Sequence, residues 1–199
     1  MHYVGEEFKD KRYKTGPAPT FDRSEWLSDK YSLGLDFPNL PYFIDGDVML
    51  TQSSAILEYI ADKHGMVSSC PKRRAILHML QCEIMDLRVN FVTMCYSPDF
   101  EKLKPGFLEK LPQKLEGFEK YLGEKHWLTG DKINYPDFNL CELLMQLVKF
   151  EPKCLKNYPK LKAYVERFEN LPNLKEYLAS SKFQSLCCNN VMAQWRGDN

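Results

Sequence analysis

The residues best placed to do chemistry lie in one short stretch, positions 36–54, with the sequence DFPNLPYFIDGDVMLTQSS. Thr51-Gln52-Ser53-Ser54 places hydroxyl and amide groups directly before an apolar helical series. Backbone N–H groups in the first turn of a helix have no partner within the helix and can hold an anion. This pattern favours a carboxylate site, although an ordinary hairpin leading into a helix explains the same residues equally well.

The neighbouring elements would present an extended ligand to this helix start. Asp45-Gly46 predicts a type I′ hairpin turn, which needs a positive φ at both central residues, and the flanks 42–44 and 48–50 favour strands. Leu40 precedes Pro41, which restricts Leu40 to extended conformations. We expect a cis bond here, with Leu40 facing outward, where an extended peptide could pair with its backbone.

The composition of the whole chain narrows the class of protein. With 199 residues it can form one or two domains with a substantial core. Lys plus Arg and Asp plus Glu both total 27, so we expect neither a nucleic-acid nor a membrane partner. No apolar run reaches the roughly 20 residues that cross a bilayer, and the charged start MHYVGEEFKDKRYK is unlike a signal peptide. These features predict a cytoplasmic protein.

The seven cysteines and four histidines do not indicate a metal centre. The cysteines show no CxxC spacing, and Cys82, Cys95 and Cys141 fall on apolar helical faces, which favours buried free thiols. Cys187-Cys188 could serve redox chemistry or contact a metal, but no histidine clusters with the pair. We therefore expect no metal site.

The periodicity divides the chain into two lobes. The first combines strand, loop, hairpin and helix signals and ends at Gly65, which is suited to close a helix. The second is helical almost throughout, with a long helix from 72 to about 96 and another from about 105 to 122, bent at Pro112. Asn134 and Asp137 resemble a capping box at the start of a further, buried helix.

Several separated motifs, in the same order, resemble the mu class of the cytosolic glutathione transferases. They are DRSEWLSDKYSLGLDFPNLPYFIDGD, TQSSAILEYIADKH, CYSPDFEKLKP and INYPDFNL, and the segment 14–22, which contains GPAP, resembles a loop that distinguishes this class. The resemblance implies a two-domain α+β fold. Residues 1–66 would form an incomplete thioredoxin-like lobe that binds glutathione, and residues 71–199 an all-α domain.

The resemblance implies a glutathione-binding set, which consists of Arg23, Trp26, Lys30, Asn39, Leu40, Pro41, Gln52, Ser53 and Asp86. Trp26 and Lys30, with Arg23 nearby, would bind the glycyl carboxylate through an indole N–H and positive charge. The cysteinyl part would lie at 39–41 and the γ-glutamyl carboxylate at the helix start, and Asp86 would act from the partner subunit. On sequence alone, Trp26 would more often be a packing residue, and Lys30 and Asp86 solvated charges.

A second implied set would bind the electrophile and the partner subunit. Tyr96, Arg88 and Val89 would line the pocket for a hydrophobic electrophile. Phe37 would be the aromatic residue that inserts into the partner's helical lobe of a homodimer, unless it packs in the core of its own lobe. Glutathione would be a co-substrate, and no cofactor is implied.

One part of the family pattern is missing from this sequence. Mu enzymes begin with a strand and a helix that carry a Gly-Tyr-Trp motif, whose tyrosine hydroxyl donates a hydrogen bond to the glutathione sulfur. Here the sequence opens at HYVGEEFKDKRY, which resembles the end of that helix and the second strand. We therefore expect the first strand and most of the first helix, about twenty residues, to be absent, and no catalytic residue to remain, since no other tyrosine is an evident substitute.

The sequence thus predicts a mu-class glutathione transferase, which conjugates the glutathione thiolate to electrophilic small molecules in detoxification, with impaired turnover. The alternative is a non-catalytic protein that binds glutathione or hydrophobic ligands. A relative of the elongation-factor-associated or crystallin-like transferases is disfavoured because the mu loop is present.

Overall fold

A computed structural model describes residues 1–198, in which a small mixed lobe precedes a larger helical one. The first lobe contains a 3₁₀ helix (His2–Val4), α1 (Ser24–Asp29), β1 (Tyr42–Asp45), β2 (Val48–Thr51) and α2 (Ser53–Lys63). The second contains α3 (Pro71–Tyr96), α4 (Phe100–Leu122), α5 (Tyr135–Phe150), α6 (Pro159–Glu169), α7 (Pro172–Ala179) and α8 (Ser181–Gln184). None of these helices is both long and apolar enough to span a bilayer.

The predicted hairpin is present, but its turn differs from the predicted type. Strands β1 and β2 pair antiparallel, and Asp45 still faces Val48 in the ladder, so the central residues of the turn are Gly46 and Asp47. Of these two, only Gly46 has a positive φ, of 62°. Type I′ is therefore wrong, and a positive φ at the first central residue alone is the pattern of type II′.

The strand predicted ahead of the hairpin is not formed. Residues 6–17 carry no strand, and β1 and β2 are the only strands within residues 1–198. Long side chains connect this segment to the lobe instead: Lys63 bridges Glu6 (2.9 Å) and Asp45 (2.7 Å). A strand requires a neighbouring backbone about 4.8 Å away to complete its ladder, and side-chain bridges do not supply one.

The helical lobe has one continuous core built from the inward faces of α3 to α6. Helix α3 matches the predicted long helix closely, whereas α4 begins at Phe100, earlier than predicted, and accommodates both Pro105 and Pro112. Cys95 and Cys141 are fully buried, as expected. Cys82 is exposed, so its predicted burial is wrong: α5 and α4 cover other faces of α3 and leave this one in solvent.

The start of α5 is fixed by the carboxylate of Asp137, which is completely buried. It accepts hydrogen bonds from the backbone N–H of Asn134 (2.7 Å), the backbone N–H of Leu128 (2.8 Å) and the hydroxyl of Tyr164 (2.7 Å). Burial raises the pKa of Asp137 to about 6, although these three hydrogen bonds act in the opposite direction. One side chain therefore joins α5, α6 and the loop between α4 and α5.

A small buried cluster connects the two lobes. Ala61 of α2, Leu77 of α3 and Tyr135 of α5 pack together, each almost inaccessible to solvent. Gly65 follows α2 with a φ of 66° and donates its N–H to the carbonyl of Asp62 (3.0 Å), as predicted for a residue that closes a helix. The first lobe is thereby fixed against the start of α3.

Candidate functional site

Helix α1 holds Trp26 in an aromatic cluster. The Trp26 indole is only 9% exposed and lies 5.1 Å from the ring of Tyr13 and 6.2 Å from that of Tyr42, measured between centroids. The Tyr13 hydroxyl donates to Asp29 (3.0 Å), so the hydroxyl of Tyr42 must donate to Tyr13 (3.1 Å). Within residues 1–198 no group accepts a hydrogen bond from the Trp26 indole N–H. Trp26 is therefore a packing residue whose N–H is still available to a ligand.

The cluster also changes the acidity of Tyr13. Burial, followed by the hydrogen bond from Tyr42, raises the pKa of Tyr13 to about 12. The Asp29 carboxylate, which accepts the hydrogen bond from Tyr13, also pairs with Lys11, and this pairing lowers the pKa of Asp29. Tyr13 is thus a neutral phenol at physiological pH, and its hydroxyl hydrogen is already engaged in the hydrogen bond to Asp29.

Two cations next to α1 remain available for an anionic ligand. Lys30 follows the last residue of α1, and its ammonium lies 5.2 Å from the centroid of the Tyr31 ring. Arg23 precedes α1 and is exposed. In the described part of the chain, neither has a carboxylate within 4.0 Å, because the nearby Asp29 pairs with Lys11 instead. Within residues 1–198, this end of the lobe therefore presents two cations that form no ion pair.

The segment Asn39-Leu40-Pro41 leads directly into β1. The Leu40–Pro41 bond is cis, as expected, and Leu40 is 43% exposed. The Leu40 N–H donates to Oδ1 of Asn39 (2.9 Å), so a ligand could use this N–H only if the Asn39 side chain turned away.

The start of α2 has an unusual backbone at Gln52, with φ 71° and ψ 109°. Such a conformation is costly for any residue other than glycine. Gln52 and Ser53 are exposed, and no side chain caps the helix. Ser54, by contrast, faces inward and accepts a hydrogen bond from Gln81 of α3 (3.1 Å). The first N–H groups of α2 therefore point at solvent, as an anion site requires. No sequence signal predicts the strained backbone, because glutamine ordinarily adopts a negative φ.

Helix α3 carries four of the five remaining predicted site residues but does not bring all of them to one surface. Asp86 and Val89 are exposed. The guanidinium of Arg88 is bonded to α5 instead, donating to the side chain and backbone carbonyl of Asn139 (both 2.9 Å) and to Glu142 (2.5 Å). Arg88 therefore joins two helices and is not an open cation.

Tyr96, at the end of α3, is 36% exposed and is hydrogen-bonded to a segment that sequence reasoning missed. The backbone N–H of Asn190 donates to the Tyr96 hydroxyl (2.7 Å), and the Asn190 side chain donates to the hydroxyl of Thr15 (3.0 Å). Gln194 donates its N–H to the carbonyl of Cys95 (2.8 Å). The Tyr96 oxygen acts as an acceptor here, which leaves its own proton free for a ligand. The C-terminal segment thus connects both lobes, and nothing in its sequence indicated this.

Phe37 lies in the loop between α1 and β1 and is 78% exposed. This exposure excludes the core-packing role that the sequence left open. No group of three or more His, Cys, Asp or Glu side chains suited to a metal ion occurs between residues 1 and 198.

The site thus combines a cationic end, an outward-facing extended segment and an uncapped helix start. A ligand with two separated carboxylates and an extended backbone between them would match this order of groups. Tyr96 and the exposed residues of α3 lie on a different element, which could form a neighbouring pocket.

Comparisons with known proteins match this architecture along most of the chain. Residues 1–62 match the family model for the glutathione S-transferase N-terminal domain, and residues 85–181 match that for the glutathione S-transferase C-terminal domain. Glutathione S-transferase Mu 1 of Bos taurus is 46% identical over 92% of this chain and 84% of its own length. Glutathione S-transferase Mu 2 of Mus musculus is 45% identical over 98% and 89%, respectively.

Solved structures of the same family also match. The crystal structure of the glutathione S-transferase Blo t 8 superposes with a TM-score of 0.88 and 34% identity, covering 97% of this chain and 90% of that one. The Pi-class glutathione S-transferase of Onchocerca volvulus gives a TM-score of 0.84 and 28% identity over the same shares.

Proposed function

Since the chain belongs to the mu class of the glutathione S-transferases, we propose that the site on its first lobe, residues 1–66, binds glutathione in an extended form. The transferases use glutathione as a co-substrate and need no separate cofactor. The observation that carries the proposal is the exposed, uncapped start of α2, where Gln52 has a φ of 71°. A strained, solvent-facing residue at a free helix start is best explained by a ligand that uses it.

The three parts of glutathione meet three different groups. The glycyl carboxylate lies near Lys30 and Arg23, which lack carboxylate partners among the described residues. It also accepts a hydrogen bond from the indole N–H of Trp26. The cysteinyl backbone runs past Asn39, Leu40 and Pro41. The γ-glutamyl carboxylate accepts hydrogen bonds from Gln52, Ser53 and the N–H groups behind them.

The electrophile lies beside Tyr96, whose hydroxyl proton can stabilise negative charge that develops on the electrophile. Val89 supplies exposed apolar surface nearby on α3. Arg88 contributes by keeping α3 against α5, because its guanidinium is already occupied by Asn139 and Glu142.

The reaction is conjugation by substitution or addition. In a substitution, the glutathione thiolate forms a C–S bond as a leaving group such as chloride departs with the bonding electrons, and the thiol proton passes to solvent. The thiolate is the reactive species, and a thiol with a pKa near 8.5 is mostly protonated at neutral pH. Activation therefore requires a donor that stabilises the thiolate.

We expect this 199-residue chain to perform that activation poorly. The tyrosines packed against Trp26 have no spare proton for a sulfur, because Tyr42 donates to Tyr13 and Tyr13 donates to Asp29. The alternative to an efficient transferase is a non-catalytic protein that binds glutathione or hydrophobic ligands. Conjugation of a chloronitrobenzene by the purified chain tests this expectation: turnover near that of a mu-class relative would contradict impairment.

The second subunit completes the site in this proposal. Phe37 supplies an exposed aromatic anchor for a homodimer, and Asp86, which has no ion-pair partner within the described range, reaches the ammonium group of glutathione in the partner. We place the protein in the cytoplasm, because a pool of reduced glutathione and seven free cysteines are both suited to a reducing compartment.

Titration calorimetry with reduced glutathione tests the binding site. Lys30→Ala should weaken glutathione binding by about tenfold, since a charge-assisted hydrogen bond contributes roughly 1.5 kcal/mol. Lys9→Ala removes the same charge from an exposed position outside the site and should leave the affinity unchanged. Absence of binding to the unmodified chain, or equal loss in both variants, would contradict the proposed site.

A further inference from the structure

Two adjacent cysteines, Cys187 and Cys188, take no part in the sites proposed above. They lie between α8 and the segment 189–196, which contacts Tyr96 and the carbonyl of Cys95. Cys187 is exposed, Cys188 is partly buried, and both are free thiols. The other cysteines of the chain are separated from one another in sequence. The pair at 187–188 can therefore offer two neighbouring sulfur atoms to one ligand.

Two consecutive residues of one short strip contact the two thiols. The guanidinium of Arg196 donates to Sγ of Cys187 (3.3 Å). The next residue, Gly197, lies so close to Cys188 that a Cβ added to the glycine would be 2.6 Å from the Cys188 Sγ. The N–H of Asn189 donates to the carbonyl of Arg196 (3.1 Å), which keeps the strip beside the pair. Adjacent side chains of an extended strand point to opposite faces, whereas here both sulfurs approach the same strip.

The two thiols differ in how readily they react. Reactive cysteines occupy accessible, electropositive positions. Cys187 is exposed beside the Arg196 guanidinium, which also pairs with Asp198 (3.2 Å). Burial raises the pKa of the Cys188 thiol, so this group stays protonated at neutral pH. A ligand would therefore bond first to Cys187 and then close onto Cys188, a step that is favoured because it takes place within one molecule.

The number of sulfur atoms in the pair selects the class of ligand. Thiolate sulfur is a soft ligand, which prefers thiophilic centres to magnesium or calcium. A structural zinc site uses four protein ligands, and this pair supplies two. A trivalent arsenical that carries one organic group has two bonds left to form, and the two thiols match that number.

We propose that Cys187 and Cys188 together bind a trivalent organic arsenical as one cyclic adduct. In the reaction with an arsenoxide, the As=O bond breaks, two As–S bonds form, and the oxygen leaves as water with both thiol protons. Arsenic remains trivalent, so no oxidant or reductant takes part. The site uses none of the residues proposed for glutathione and does not depend on the function proposed above.

The test uses phenylarsine oxide at one equivalent per chain, with intact-protein mass spectrometry as the readout. The chain should gain one phenylarsenic group and retain it in excess 2-mercaptoethanol, whereas 2,3-dimercaptopropanol should remove it. A monothiol displaces arsenic readily from a single cysteine but competes poorly with two thiols held on one chain. Loss of the adduct in 2-mercaptoethanol would overturn the proposal.

Serine variants identify the two sulfurs. Cys187→Ser and Cys188→Ser should each lower the affinity for phenylarsine oxide by about a hundredfold or more and make any adduct labile to 2-mercaptoethanol. Cys82→Ser removes an exposed thiol that has no cysteine beside it in sequence and should leave retention unchanged. Equal loss in Cys82→Ser, or full retention in either variant of the pair, contradicts a shared site.

A second measurement needs no variant. Labelling of the unmodified chain with N-ethylmaleimide, followed by peptide mapping, should show that bound phenylarsenic protects Cys187 and Cys188 together. Cys70 and Cys82 are both exposed and should remain labelled. Circular dichroism and a thermal melt verify the fold of the serine variants. Protection of one member of the pair without the other, or of Cys70 or Cys82 instead, would refute the proposal even if a variant failed to fold.

Discussion

At the residue scale, the site depends on groups that other interactions leave free. Lys11 pairs with Asp29, while Lys30 has no carboxylate within 4.0 Å among residues 1–198. Gln81 bonds to Ser54, while Ser53 is exposed. Gln52 keeps a backbone conformation that only glycine adopts easily. Of these features, only the backbone of Gln52 has a cost in folding stability, which a ligand that uses this conformation would offset.

The strain at Gln52 leads to a prediction with a matched pair of variants. Gln52→Gly should be more stable than Gln52→Ala by about 1 kcal/mol, because glycine alone tolerates a positive φ without a steric penalty. Both should bind glutathione more weakly than the parent, since both lose the side-chain amide. Urea unfolding and calorimetry give the two quantities. A glycine variant less stable than the alanine variant would show that the backbone here is unstrained.

At the element scale, single polar residues hold the helices of the second lobe together. Arg88 joins α3 to α5, and Asp137 joins α5 to α6 and to the preceding loop. Apolar side chains fill the rest of the space between these helices. Because apolar packing has little directional preference, the polar contacts fix the relative positions of the helices.

Asp137 gives this lobe a pH dependence of known sign. Its pKa is about 6 in the folded chain against 3.8 as an isolated group, so the folded state binds more protons between these values. Its contribution to stability is therefore present near pH 4 and is lost as the pH rises through 6, a change of roughly 3 kcal/mol. The stability difference between the parent and Asp137→Asn, from urea unfolding, should be larger at pH 4 than at pH 7. A difference that grows with pH would show that the hydrogen bonds outweigh burial.

The C-terminal segment should act as one unit with the loop around Thr15. Asn190→Ala and Thr15→Val each remove the hydrogen bond between their side chains, while the backbone N–H of residue 190 can still reach Tyr96. Amide hydrogen exchange in residues 189–196 should accelerate by roughly two- to tenfold in either variant, since one such bond contributes about 0.5–1.5 kcal/mol. The double variant should be no faster than the single ones. Additive effects would mean that the two residues act independently.

Much of this element structure could be predicted from the sequence, and the exceptions share one cause. Helices α3 and α5 follow from apolar periodicity and a capping pair, and the hairpin from Asp45-Gly46, because these signals are local. The missing strand at 6–17, the exposed Cys82 and the bonding of Arg88 to α5 all depend on what packs alongside. A sequence pattern states which face is apolar, but it does not state which neighbour is present.

At the scale of the whole molecule, the question is how a lobe with only two strands is stabilised. Its sheet has no strand beside β1 other than β2 within residues 1–198, and the contacts of residues 6–13 are made by side chains. The buried cluster of Ala61, Leu77 and Tyr135 fixes the lobe to the helical domain. A partner subunit that covers Phe37 would add further support to the same lobe.

Dimerisation through Phe37 can be tested against a residue of equal exposure. Phe37 and Tyr31 are both 78% exposed and lie in the same connection between α1 and β1. Phe37→Asp should weaken the homodimer by roughly tenfold to a hundredfold, because a buried aromatic anchor contributes about 1.5–3 kcal/mol and a buried unpaired charge adds a cost. Tyr31→Asp introduces the same charge without removing the anchor and should leave the dimer intact. Sedimentation velocity over a concentration series measures both, and equal dissociation of the two variants, or none in either, would refute this role for Phe37.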